Sequence, residues 1–269
     1  MTVSDHSHGS TAHSDADHAR TFTVRVLRQE TPHGGGHWET FSVAYEEGMN
    51  VTTVLQRIAA RPVTTDHHAT TPVAFDASCL EEVCGSCTMV INDRVRQACS
   101  TLIDALLAES PGGIELRPMT KFPVVRDLVV DRRKMFESLK RVKAWVHVDG
   151  YQDRGPGPRI FPREQDSAYP LSRCMTCGCC VEACPQFNDR SAFIGPAAIS
   201  QAILFNEHPT GRADRDARLE VLSGVGGIVD CGNSQNCVKV CPKEIPLTDS
   251  IAKAGRDTTL YKLRQWFGR

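Results

Sequence analysis

Apolar and polar residues alternate along "TFTVRVLRQ" (21–29) and again along "HWETFSVAY" (37–45). A period of two predicts half-buried strands, joined here by the loop "ETPHGGG". The period then lengthens. In "VTTVLQRIAA" (51–60), Val51, Val54, Leu55 and Ile58 form one stripe, and Asn50 stands where a helix cap is wanted. "CTMVI" and "VRQACST" read as strands around a turn at Asn92-Asp93, and "GIELRPM" (113–119) adds another strand. The economical reading of 21–125 is a small mixed sheet with one helix packed across it.

Beyond 126 the helical period prevails. "RDLVVDRRKMFESLKRVKAW" (126–145) predicts one helix, and "QDRGPGPRIFPREQDSAYP" (152–170) predicts a loop punctuated by prolines and glycines. "GPAAISQAILFNEH" and "RDARLEVLSG" predict helices with a proline in the first turn and a closing glycine, respectively. "LTDSIAKAGRDTTLYKLRQWFG" predicts a long C-terminal helix. The expected organisation is α+β: a disordered tail over 1–20, a sheet domain over 21–128 and a helical domain over 129–269. His6, His8, His13 and His18 belong to the polar tail.

Bulk composition removes several function classes. A net charge of −1 over 269 residues offers no field for nucleic acid. No apolar stretch is long enough to span a bilayer, and the first residues lack the apolar core of a secretory signal. Cysteine changes the picture. Twelve cysteines in a chain expected in a reducing compartment argue for metal rather than disulfides. They are grouped: four between 79 and 99, five between 174 and 184, and three between 231 and 241.

"SCLEEVCGSC" places Cys79, Cys84 and Cys87 at x4 and x2 spacing, with Cys99 to follow. That is the plant-type arrangement for a [2Fe–2S] cluster on four thiolates, and Gly85 lets backbone approach closely. A four-cysteine zinc site is the competing reading, but it favours paired C-x2-C knuckles, and only one such pair exists here.

"CMTCGCCVEACP" (174–185) and "CGNSQNCVKVCP" (231–242) share a second frame, in which the fourth cysteine of a run serves the other cluster. Cys174, Cys177, Cys180 and Cys241 are then expected on a [4Fe–4S] cube. Cys184, Cys231 and Cys237 are expected on a second centre. Where that centre needs a fourth thiolate the chain has Ser234. A hydroxyl competes poorly for soft iron, so a [3Fe–4S] cluster is expected; a serine alkoxide completing a cube is the alternative. Cys179 is left over as a small buried apolar residue. Pro185 and Pro242 follow the last ligands of their runs.

These three ordered motifs, with "TKFPVVRDLVVD" at 120–131, resemble the iron–sulfur subunits of succinate dehydrogenase and quinol:fumarate reductase over about 20–260. The resemblance implies a β-grasp ferredoxin domain followed by an α-helical dicluster domain. It implies electron transfer from the FAD of a partner flavoprotein, through [2Fe–2S], [4Fe–4S] and [3Fe–4S] clusters, to a quinone at a membrane anchor. The chain has no G-x-G-x-x-G fingerprint, so the dicarboxylate and flavin sites are expected on the partner. Two departures matter. Ubiquinone-binding members carry tryptophan soon after the Cys-Pro, where this chain has Phe187, Asn188 and Asp189. They also often carry histidine where it has Gly232. The pattern is closer to menaquinone-type members with a cytochrome-b-like anchor, held at the cytoplasmic face of the cell membrane, with Pro185 bordering the quinone site. A fumarate reductase subunit and a soluble dicluster carrier are the alternatives. "YKLRQWFGR" (261–269) mixes basic and aromatic residues suited either to a membrane interface or to an ordinary helix end.

Overall fold

In the computed structural model, residues 20–147 and 158–268 are described. Residues 1–19 of the tail expected over 1–20, the first part of the proline-rich loop and Arg269 lie outside these residues. Strands β1 (Thr21–Arg28) and β2 (His37–Ala44) pair antiparallel in the register Thr21↔Ala44 to Arg28↔His37. Strand β1 buries every second residue, as its alternation predicts. Helix α1 (Val51–Ala60) is capped by Asn50, whose Oδ1 accepts from the Thr53 N–H at 2.9 Å. The same side chain donates to the Cys99 carbonyl at 2.9 Å, tying the helix start to a predicted ligand.

Strands β3 (Thr88–Ile91), β4 (Arg94–Gln97) and β5 (Ile114–Arg117) complete a five-stranded sheet of order β2-β1-β5-β3-β4. Only β1 and β5 run parallel; this is the order expected of a β-grasp sheet. Helix α2 (Ile103–Glu109) was not expected from the sequence: it is seven residues long and has no side-chain cap. Ile103 and Leu106 hold it in the core beneath the sheet.

The helix expected over 126–145 is corrected. Strands β6 (Val124–Arg126) and β7 (Val129–Val130) form a hairpin, and helix α3 covers only Arg133–Arg141. Asp127 decides this. It is fully buried in the turn at φ 46°, and its carboxylate accepts from Arg28 Nε (3.0 Å), Gln29 N (3.1 Å) and Ala74 N (2.9 Å). A buried carboxylate with that many donors outweighs helix propensity. The loop expected over 152–170 is also corrected, because helix α4 spans Pro162–Ser172. Pro162 occupies the first turn, where a missing N–H costs nothing. Arg212 pairs with Glu164 at 3.0 Å, and Gln201 donates to the Leu171 carbonyl at 3.1 Å, holding the helix from outside.

Helices α5 (Cys179–Glu182), α6 (Pro196–Glu207), α7 (Arg215–Ser223), α8 (Asn236–Lys239) and α9 (Leu247–Phe267) follow, with short 3₁₀ turns at Gly211–Asp214 and Ile228–Asp230. Helix α6 packs against α4, α7 and α9. Leu128 packs in the first core, whereas Met119, Phe122 and Val130 pack in the second. The chain therefore crosses between the two cores near 119–130 rather than passing once.

Candidate electron-transfer centres

The loop 79–87 is shaped by left-handed residues. Leu80 (φ 61°), Glu82 (φ 55°) and Gly85 (φ 71°) alternate with ordinary ones, turning successive N–H groups inward. The Cys79 sulfur accepts from the N–H groups of Glu81 (3.4 Å), Val83 (3.3 Å) and Cys84 (3.3 Å), and Cys84 Sγ accepts from Ser86 N–H at 3.5 Å. A nest of donors suits thiolates or an anionic cluster and suits a neutral thiol poorly. Two non-glycine residues held left-handed cost about 1–2 kcal/mol each, strain of the sort met at functional loops. Cys87 and Cys99 lie below, on the buried strand side, and the Ser100 hydroxyl holds Glu82 at 2.8 Å.

Two cavities, the second and third centres, gather the remaining cysteines. Cys174, Cys177, Cys180 and Cys241 line one, together with Cys179, Ile245 and Leu247. Cys184, Cys231 and Cys237 line the other together with Ser234. Each cavity thus draws on both cysteine runs. The runs also share a backbone. Thr176 (φ 54°) and Gly178 (φ 94°) are left-handed in the first, and Asn233 (φ 49°) and Gln235 (φ 59°) in the second. Helices α5 and α8 then follow at equivalent points and pack together. Ser234 therefore occupies the frame of Cys177 without its sulfur. Thr176 is β-branched, and left-handed backbone is a true outlier for such a residue.

Proton affinities divide the thiols. Hydrogen bonding to the Ser86 side chain, then to backbone, lowers the Cys84 thiol to about 6. A hydrogen bond with the Cys179 side chain lowers Cys177 to about 7. Burial raises Cys87 to about 11 and pushes Cys180 well up. Cys87 and Cys180 are thus protonated at neutral pH unless metal displaces the proton, which a coordinated metal does outright. Among the described residues no three His, Cys, Asp or Glu side chains converge as the ligands of one ion do. The sulfurs between Cys174 and Cys241 instead line two cavities, and a cavity edged by several sulfurs suits a polynuclear core.

The three centres adjoin in succession. A Cβ on Gly85 would lie 2.6 Å from Cys177 Cα, so the first loop rests directly on the second. The second and third cavities share the run from Cys180 to Cys184. Two residues here gave no sequence signal. Arg132 donates to the carbonyls of Gly85 (2.6 Å), Ser86 (2.6 Å) and Cys177 (3.3 Å). Gln97 accepts from the Thr88 hydroxyl at 2.9 Å and donates to Cys179 Sγ at 3.2 Å. Cys179 is therefore buried, as expected, but it is also a hydrogen-bond acceptor rather than a merely apolar filler.

In the segment after Cys184, Phe187 is fully buried and packs on Phe122 at 6.0 Å between ring centroids. Asn188 donates to the Pro185 carbonyl at 3.1 Å, Asp189 is exposed near Lys134, and Pro185 is itself exposed. Gly232 lies beneath Gln186, whose Nε2 would be 2.6 Å from an added Cβ. At the far end of α9, Trp266 and Phe267 stack at 5.5 Å and are both exposed.

Residues 23–137 match the 2Fe-2S iron-sulfur cluster binding domain, and residues 170–245 match the 4Fe-4S dicluster domain. The succinate dehydrogenase iron-sulfur subunit of Bacillus subtilis is 53% identical over 249 residues, covering 93% of this chain and 97% of that protein. The fumarate reductase iron-sulfur subunit of Wolinella succinogenes is 30% identical over 237 residues, covering 87% and 95%. A chain of the Mycobacterium smegmatis Sdh1 complex in the apo form superposes with a TM-score of 0.75 at 24% identity, over 91% of this chain and 98% of that one.

Proposed function

Because the chain belongs to the family of succinate dehydrogenase and fumarate reductase iron–sulfur subunits, we propose that it is the electron-transfer subunit of a membrane-bound succinate:quinone oxidoreductase. The groups it would hold supply one-electron steps between the FAD of a flavoprotein partner and a quinone, in the order [2Fe–2S], [4Fe–4S], [3Fe–4S]. Cys79, Cys84, Cys87 and Cys99 would hold the first, Cys174, Cys177, Cys180 and Cys241 the second, and Cys184, Cys231 and Cys237 the third.

One observation carries this reading: each of the two inner cavities takes sulfurs from both runs, and Ser234 lies in the one that has three. The chain's own work is to space the centres, exclude water and set their potentials. Cys180, Cys184 and Cys237 are buried, which keeps water from their sulfurs. Backbone donors to Cys79, Cys84 and Cys241 stabilise negative charge on sulfur and so raise electron affinity.

Quinone reduction belongs beside the third centre, where Pro185 and Gln186 are exposed at its rim. Menaquinone is the acceptor in this reading, since Phe187 is buried in the core and Gly232 offers no side chain. Among the described residues no helix is long and apolar enough to cross a membrane. Attachment is then peripheral, through the anchor subunit, at the cytoplasmic face. The test is native purification with low-temperature EPR. A flavoprotein and an anchor subunit should co-purify, and the oxidised complex should show a [3Fe–4S] signal. A lone holoprotein purified without detergent, carrying two full cubes or zinc, would refute it.

A further inference from the structure

Arg132 is the residue immediately before α3, and its guanidinium leaves that helix to enter the seam between the first and second centres. Its Nη1 reaches Gly85 O at 2.6 Å and Cys177 O at 3.3 Å, while Nη2 reaches Ser86 O at 2.6 Å. Gly85 and Ser86 lie between Cys84 and Cys87 of the first centre, and Cys177 belongs to the second. One planar fork therefore grips both ligand loops at the point where Gly85 already touches Cys177.

The charge has no direct counter-ion. All three acceptors are neutral carbonyls, and among the described residues Arg132 forms no ion pair. Burial lowers the proton affinity of the Arg132 guanidinium, and the groups that oppose this by favouring the charged form are Asp76 and then the sulfurs of Cys177, Cys179 and Cys87. A half-buried cation beside ligand sulfurs is screened less than a surface charge and acts on whatever anionic core those sulfurs hold.

Resting on the proposed assignment of the first two centres, we propose that Arg132 is a positioning residue with two effects: it locks the [2Fe–2S] loop against the [4Fe–4S] loop, and it raises the electron affinity of both. Reduction adds negative charge to a centre, so a fixed cation beside it stabilises the reduced form. Lysine at 132 keeps the charge but, as a point donor, cannot span three carbonyls in one plane. Glutamine loses the charge and most of the grip.

The experiment uses the intact complex carrying Arg132→Gln or Arg132→Lys, with EPR-monitored redox titration and the magnetic interaction between the two reduced centres as readouts. Arg132→Gln should lower the electron affinity of the first and second centres about tenfold, which is 59 mV for a one-electron couple, and weaken their interaction. The third centre should be unchanged. Arg132→Lys should keep the potentials near those of the native complex while still weakening the interaction. Unchanged potentials in Arg132→Gln at full iron content overturn the proposal. If that variant fails to assemble, Arg132→Lys decides: an unchanged magnetic interaction refutes the clamp. A native complex lacking either centre would instead refute the cluster assignment, and iron and sulfide analysis of the unsubstituted complex separates the two failures.

Discussion

Gly85→Ala tests the contact between the first two centres with a single methyl group. The added carbon would lie 2.6 Å from Cys177 Cα and 2.7 Å from Cys177 Cβ, about 0.8 Å inside the 3.4 Å at which ordinary contact begins. Neither atom can rotate away, because both belong to the backbone and root of a proposed ligand. Alanine at φ 71° adds a conformational cost of about 1–2 kcal/mol. Forcing an extra methyl into a packed site typically costs about 1–3 kcal/mol more. The sum, about 2–5 kcal/mol, corresponds to an apparent melting temperature lower by about 4–20 °C for a chain of this size. Gly48→Ala isolates the steric part. Gly48 has nearly the same φ, 76°, and nothing within 4 Å of its would-be Cβ. That variant should carry only the conformational cost, about 2–8 °C. The assay is thermal melting of the complex at one fixed scan rate, with EPR of the interaction between the reduced centres. If Gly85→Ala melts with Gly48→Ala and the interaction is undisturbed, the two loops do not touch as described and the contact between the first two centres loses its basis.

Ser234→Cys should add one iron per chain, abolish the oxidised-state EPR signal of the third centre and lower its potential, because the backbone around 234 already matches that around Cys177; iron analysis with EPR checks it. Cys184→Ala should abolish the third centre and spare the [4Fe–4S] cube, whereas Cys241→Ala should do the reverse. Loss of the cube from Cys184→Ala would end the exchanged-ligand reading. After anaerobic removal of iron, Cys84, lowered to about 6, should be mostly thiolate at pH 7, and Cys87, raised to about 11, mostly thiol. Alkylation at Cys84 should therefore be the faster and reach half its maximal rate near pH 6. Equal rates by mass spectrometry would show that the ligand loop does not survive without its cluster.

Much of the site was legible because metal ligation is written in residue type and spacing. The x4 and x2 intervals at 79–87 and the paired runs at 174 and 231 need no tertiary knowledge to be read as cluster frames, and the missing sulfur at 234 is visible by alignment of the chain with itself. The strands 21–28 and 37–44 and helix 51–60 were equally open, since burial on one face imposes a period of two or 3.6 on the residues.

What the tertiary structure alone decided depends on partners distant in sequence. The hairpin at 124–130 replaces a helical pattern because Arg28, 99 residues away, needs the Asp127 carboxylate inside the core. Left-handed Thr176, Leu80 and Gln235 carry no local signature, since nothing in their own side chains favours that backbone. Arg132 is one basic residue in a basic stretch until the fold brings Gly85, Ser86 and Cys177 within its reach. Covalent chemistry is local and survives in the sequence. Carbonyl acceptors, burial and close backbone approach exist only once remote segments have met.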